Sequence, residues 1–265
     1  MLAAVALALL ALAAPADTAV DPAAGAADGA FLQAAAHRDR ASLTPLLDGD
    51  LQWSGIDGKT LNHPAVMAAP PEIATQTKDR TWYGYGSVAV AEANDGRLHA
   101  LRIWVKRPAG WRLLVYQEVR SLDAPAASTP GTGKTCENPC GAVPYAPKNA
   151  IERAVMQAYS ELEAAATGGK ADAWKLRAAD EIALVSSNSD RTFDKPTRAA
   201  AIAKATLGGV APTKLLTARL FDFDNVVVMT SQHETDKGQQ LHITRVWVNR
   251  DGRWQETLSY QTAVR

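Results

Sequence analysis

The sequence predicts an α+β protein of two repeated units, each with helices first and a strand meander after them. Three observations carry this. A β-rich text occurs twice, once before position 122 and once at the C-terminus. The elements that precede each copy recur in the same order. Between the copies, residues 123–148 turn to Ala, Pro, Ser, Thr and Gly, the composition of a linker.

The repeat is clearest in the last hairpin. Residues 241–261 read LHITRVWVNRDGRWQETLSYQ, two β-rich runs around Asp251-Gly252. An Asp-Gly pair in that setting is a strong hairpin signal. Residues 98–111 read LHALRIWVKRPAGW. At a constant shift of 143, Leu98, His99, Arg102, Trp104 and Trp111 fall on Leu241, His242, Arg245, Trp247 and Trp254. Further upstream, LQAAA at 32–36 matches LEAAA at 162–166. Residues 59–64 (KTLNHP) match residues 191–196 (RTFDKP) at a shift of 132. GSVAV at 86–90 resembles DNVVV at 224–228. Four matches in one order exceed chance and set the architecture.

The first 16 residues, MLAAVALALLALAAPA, form an apolar run ending in Ala14-Pro15-Ala16. Small residues there suit signal-peptide cleavage after Ala16. The run is short for a membrane span, and no Lys or Arg precedes it. Export to the periplasm or outside is the expectation, with no membrane contact after leader removal and a lipid-facing anchor as the alternative. The two cysteines, Cys136 and Cys140, lie in the linker. In an exported chain they are expected to form a small local disulfide. Their spacing is not CxxC and no second pair completes a zinc site.

The mature chain then divides into a first unit over 17–122, the linker over 123–148 and a second unit over 149–265. In the first unit, Asp21-Pro22 starts a helix running to Ala36, as cap and first-turn proline. A short helix follows over 41–47, a strand over 51–55, a turn at Asp57-Gly58 and a helix from Pro64 to about Ala69. Strands are expected over 81–93, 98–106 and 111–120. In the second unit, Asn149 and Glu152 form a capping pair, and Ile151, Val155, Ala158 and Leu162 make one apolar helical stripe. Gly168-Gly169 ends that helix. A second helix is expected over 171–179 and a strand over 182–187.

Lys plus Arg equals Asp plus Glu, 28 each, so the chain has no basic excess for a phosphate backbone. No nucleic-acid partner is expected. His37, His63 and His233 lack ligand spacing, so neither metal nor cofactor is expected. Gly131-Thr132-Gly133-Lys134-Thr135 contains GKT, but Ser128 stands where a phosphate loop needs Gly.

Helix, helix, strand, short helix and a meander ending in W-V-x-R-x-x-x-W resembles the nuclear transport factor 2-like superfamily. The likeness is greatest to its SnoaL-like and calcium/calmodulin-dependent kinase II association-domain branches. It covers nearly the whole mature chain, twice, and is most specific at residues 244–254. The resemblance implies two cone-shaped domains, each a curved antiparallel sheet wrapped around its helices, with an internal pocket.

Arg102 and Arg245 are the sharpest site candidates. Alternation places Arg245 with Leu241, Ile243 and Trp247. A charge on so apolar a face is paired, at the sheet margin or lining a cavity. The resemblance implies a pocket arginine that can meet a carboxylate; the bland alternative is a structural salt bridge or a stem packed over Trp. Trp104 and Trp247 stand beside the two arginines. Gln261, and Gln117 in the first copy, stand where the kinase branch has further basic groups. Tyr260 and Tyr116 read as core or pocket wall. His99 and His242 fall on the opposite face, solvent-side or helix-packed. Ketosteroid isomerases of this superfamily use a carboxylate base after the first strand; this chain has Ser54, Gly55, Ser186 and Ser187 there. No catalytic residue is assigned. The expectation is a non-catalytic module for a small carboxylate or partly apolar ligand, or for association, with its two domains docked on each other. The alternative is an enzyme of the SnoaL or isomerase type.

Overall fold

The protein is described here by a computed structural model covering residues 19–73, 79–123, 136–204 and 211–265. The leader and the GKT segment lie outside these residues. The first unit contains α1 (Pro22–Ala36), α2 (Arg40–Leu43), β1 (Leu47–Ser54), β2 (Thr60–Asn62) and α3 (His63–Ala68). It continues with β3 (Asp79–Tyr85), β4 (Val88–Asp95), β5 (Leu98–Arg107) and β6 (Gly110–Arg120). The second unit contains α4 (Ala150–Thr167), α5 (Ala171–Arg177), β7 (Ala178–Ser186), α6 (Lys195–Lys204), β8 (Lys214–Phe223) and β9 (Val226–Glu234). The hairpin β10 (Gln240–Arg250) and β11 (Arg253–Ala263) ends the chain.

Local chemistry sets the boundaries. The Asp21 carboxylate accepts from the Ala23 amide ahead of Pro22, and the Asn62 side chain caps α3. Asn149 caps α4 through the Glu152 amide. The reciprocal half of the capping pair goes elsewhere: the Glu152 carboxylate accepts from the Lys148 amide and the Tyr145 hydroxyl. Asp251 and Gly252 both take positive φ, 51° and 79°, the geometry the β10–β11 turn requires. The single strand expected over 81–93 is instead the hairpin β3–β4, turned at Gly86 with φ 68°.

The sheets have orders β2-β1-β6-β5-β4-β3 and β7-β11-β10-β9-β8. Neighbours are antiparallel with one exception in each unit: β1 runs parallel to β6, and β7 parallel to β11. Both copies carry the same irregularity. The pairing slips between Ile103 and Trp104 in one and between Val246 and Trp247 in the other, leaving Leu114 and Thr257 as extra residues. Such a bulge reverses which side the following residues face.

Each sheet has one face on its own helices and the other on the second sheet. Phe31, Leu51, Trp53, Trp104 and Leu113 fill the helix side of the first unit. Tyr159, Leu162, Trp174 and Trp247 belong to the helix side of the second. Between the sheets, Val90, Leu101, Ile103 and Val115 pack with Val228, Val246, Val248 and Leu258. A polar seam crosses this layer. The Gln117 amide donates to the Tyr260 carbonyl and the Thr262 hydroxyl, both at 3.0 Å, and Thr262 donates to the Glu118 carbonyl at 2.7 Å.

That layer corrects the histidine expectation. His99 and His242 are buried on the faces that meet the other sheet, neither solvent-side nor helix-packed. Burial pushes the His242 imidazole down to about 4.

Cys136 and Cys140 form a disulfide. The loop it closes holds Asn138, whose side chain donates to the Leu215 carbonyl and accepts from the Leu215 amide at the start of β8. Among the described residues no helix is long and apolar enough to cross a membrane.

Candidate functional site

The two matching arginines sit in different surroundings. Both project from the strand before the last onto the helix side. Arg102 is closed off. Its Nε and Nη2 donate to the Asp28 carboxylate at 2.5 and 3.2 Å, and Trp104 Nε1 donates to the same carboxylate at 3.1 Å. Asp28 comes from α1 and is fully buried. Phe31, Trp53 and Tyr116 pack in the same core, with Trp53 stacked on Tyr116 at 4.0 Å. A wider surface cleft is lined by Trp53, Leu61 and Glu118 of this unit and by Arg265 of the second, and does not reach Arg102.

In the second unit the burial pattern of α4 puts Tyr159 where α1 has Asp28, and a cavity of about 270 Å³ reaches the arginine. Arg245 is held by three protein groups. Nη2 lies 3.2 Å from Glu163 of α4, Nε lies 2.9 Å from Glu256 of β11, and Nη1 lies 3.4 Å from His233 Nε2. The guanidinium also stacks over Tyr159 at 5.0 Å. The Nε–Glu256 contact is a close ion pair without hydrogen-bond alignment, so both atoms lack a hydrogen-bond partner.

The bulge at Thr257 is what turns Glu256 inward beside Arg245. Burial raises the Glu256 carboxyl to about 7, against the lowering influence of Arg245. Burial and the Arg245 charge keep His233 neutral, well below the usual imidazole range. Arg198 of α6 lines the same cavity. Leu162, Trp174, Leu184 and Phe193 give the cavity an apolar wall; Ser186, Ser259 and Gln261 give it neutral polar groups. The exposed Asp236 and Lys237 stand at its rim. Among the described residues no acidic, histidine or cysteine cluster could hold a metal ion.

Of the expected site residues, Arg245 and Gln261 line the cavity. Trp247 packs in the core beside it, its Nε1 without a partner. Arg102 and Trp104 surround Asp28. Gln117 and Tyr260 lie between the sheets. Pairing Gln117 with Gln261 was one residue out of register: Gln117 pairs with Ser54 and Leu101 as Tyr260 pairs with Val185 and Thr244. At the 143 shift, Gln117 therefore matches Tyr260, and a one-residue slip sends a side chain to the opposite face. Glu163, Glu256 and Arg198 were missed. For Glu256 and Arg198 the signal lay in the repeat itself: they are charged where the first copy has Leu113 and Val66.

No protein-family model and no curated protein matches the sequence. Solved structures do show similarity. An NTF2-like protein from Cytophaga hutchinsonii is 17% identical at a TM-score of 0.39, covering 43% of this chain and 98% of its own. A candidate ketosteroid isomerase from Parabacteroides distasonis is 14% identical at 0.37, covering 44% and 90%. A candidate calcium/calmodulin-dependent kinase II association domain from Exiguobacterium sibiricum is 10% identical at 0.35, covering 46% and 98%.

Proposed function

We propose that the chain is an exported, non-catalytic module whose second unit binds one small, partly apolar molecule, while the first unit serves as a filled support. The contrast between the matching arginines carries this reading. Arg102 is sealed by Asp28 and aromatic side chains, whereas Arg245 borders a cavity with mixed apolar and polar walls. Native mass spectrometry of the purified protein is the test. A retained small molecule is expected on the wild type and is expected to be absent from Ser259→Leu, which fills the cavity. Retention that Ser259→Leu leaves unchanged would overturn the assignment to this cavity.

One observation favours a second reading, acid–base catalysis on a bound substrate. Glu256 is a cavity carboxyl raised to about 7, the range a general base needs at neutral pH. Its close contact with Arg245 supports a structural role instead.

Export is supported by the apolar leader and by the Cys136–Cys140 disulfide, which suits an oxidising compartment. Protein recovered from an exporting host is expected to begin at Asp17 and to resist thiol alkylation until reduced. Two alkylated cysteines before reduction would count against it.

A further inference from the structure

We infer that Arg198, rather than Arg245, is the group of this cavity that receives a ligand's negative charge, and that the ligand is a small monocarboxylate with an apolar body. The inference rests on reading the cavity as a ligand site. Arg245 has little to offer an incoming anion. Its three nitrogens already face Glu163, Glu256 and His233, and a ligand carboxylate would have to displace one of the two acidic groups. Arg198 differs. It lines the cavity from α6, is only partly exposed, and its side chain has no hydrogen-bond or ion-pair partner among the described residues. Burial works against its charge, Glu163 and Glu256 offset that only at a distance, and its planar fork stays open to a carboxylate.

The fold does not demand a charge there. In the first unit the same place holds Val66, buried in the core. Charge balance points the same way. Two guanidinium groups face two carboxyls, and Glu256, raised to about 7, is only partly ionised at neutral pH. The cavity therefore carries a fractional positive charge, which one carboxylate offsets and a dianion would exceed. Leu184 and Trp174 supply the wall for the apolar body.

The test is calorimetric titration of the full chain with benzoate and with its neutral counterpart benzamide. The wild type is expected to prefer benzoate by roughly tenfold, about 1.4 kcal/mol. Arg198→Met keeps the length and removes the charge. It is expected to abolish the preference, leave benzamide binding within about twofold and leave the melting temperature unchanged. Arg198→Lys is expected to keep a preference for benzoate, and it decides the matter should the Met variant fail to fold. Equal binding of the two probes to the wild type, or a benzoate preference that survives in Arg198→Met, would overturn the inference. So would a wild type that binds neither probe. If native mass spectrometry still finds a molecule that Ser259→Leu loses, only this inference falls; if it finds none, the ligand-site reading falls as well.

Discussion

Asp28→Ala is expected to cost the fold about 3–5 kcal/mol, the largest single-residue loss in the first unit. The carboxylate is fully buried and accepts from Arg102 Nε, Arg102 Nη2 and Trp104 Nε1. Removing it strands a buried guanidinium and an indole N–H together. Replacing both members of the pair, Asp28→Leu with Arg102→Met, is expected to recover most of the loss, because well-packed apolar groups do nearly as well as a buried ion pair. Urea unfolding of the three variants checks this. A single-variant loss below about 1 kcal/mol would mean that Asp28 is not the neutralising partner.

The second large effect depends on pH. Glu256→Gln is expected to be more stable than the wild type at pH 8.5, by on the order of 3 kcal/mol, and nearly equal to it at about pH 4. The wild-type carboxyl is raised from 4.5 to about 7 in the folded protein. Below 4.5 both states are protonated and nothing is lost. As pH rises from 4.5 to about 7 the unfolded chain ionises first, so folding loses stability, and the full cost persists above that. Other groups bend the wild-type curve. Glu92, near the Tyr83 and Tyr260 hydroxyls, is also raised to about 7 and slopes the same way. His233 and His242 are lowered and slope oppositely, losing stability as pH falls below 6.5. The difference between variant and wild type cancels these shared contributions. A difference that stays flat from pH 5 to 8.5 would show that Glu256 is ionised throughout.

The repeat made the element order and the last hairpin legible, because turn chemistry at Asp251-Gly252 and strand alternation are local. The alternation also grouped Arg245 with Leu241, Ile243 and Trp247 on one strand face. Long-range features were hidden. Nothing local says that β1 runs parallel to β6, or that the far face of each sheet meets another sheet. His99 and His242 were therefore misread, since a polar residue on that face suggests water until the second sheet is known. Gln117 shows the sharpest limit. Two copies aligned one residue out give plausible text and the wrong face. Glu256 and Arg198 were readable in principle, as places where one copy is apolar and the other charged. Glu256 also needed the bulge at Thr257, which the sequence does not mark.

The seam between the sheets has a consequence for how the molecule can change. Gln117 reaches the carbonyl of Tyr260, its own counterpart at the 143 shift, so like meets like across the layer. In an assembly of two separate identical subunits, such a contact forces every mutation to appear twice and makes integrity fall with dilution. Joined in one polypeptide, the halves stay together at any dilution, and each amino-acid change is felt once. Covalent union lets the two interiors differ, one filled around Asp28 and the other hollow beside Arg245.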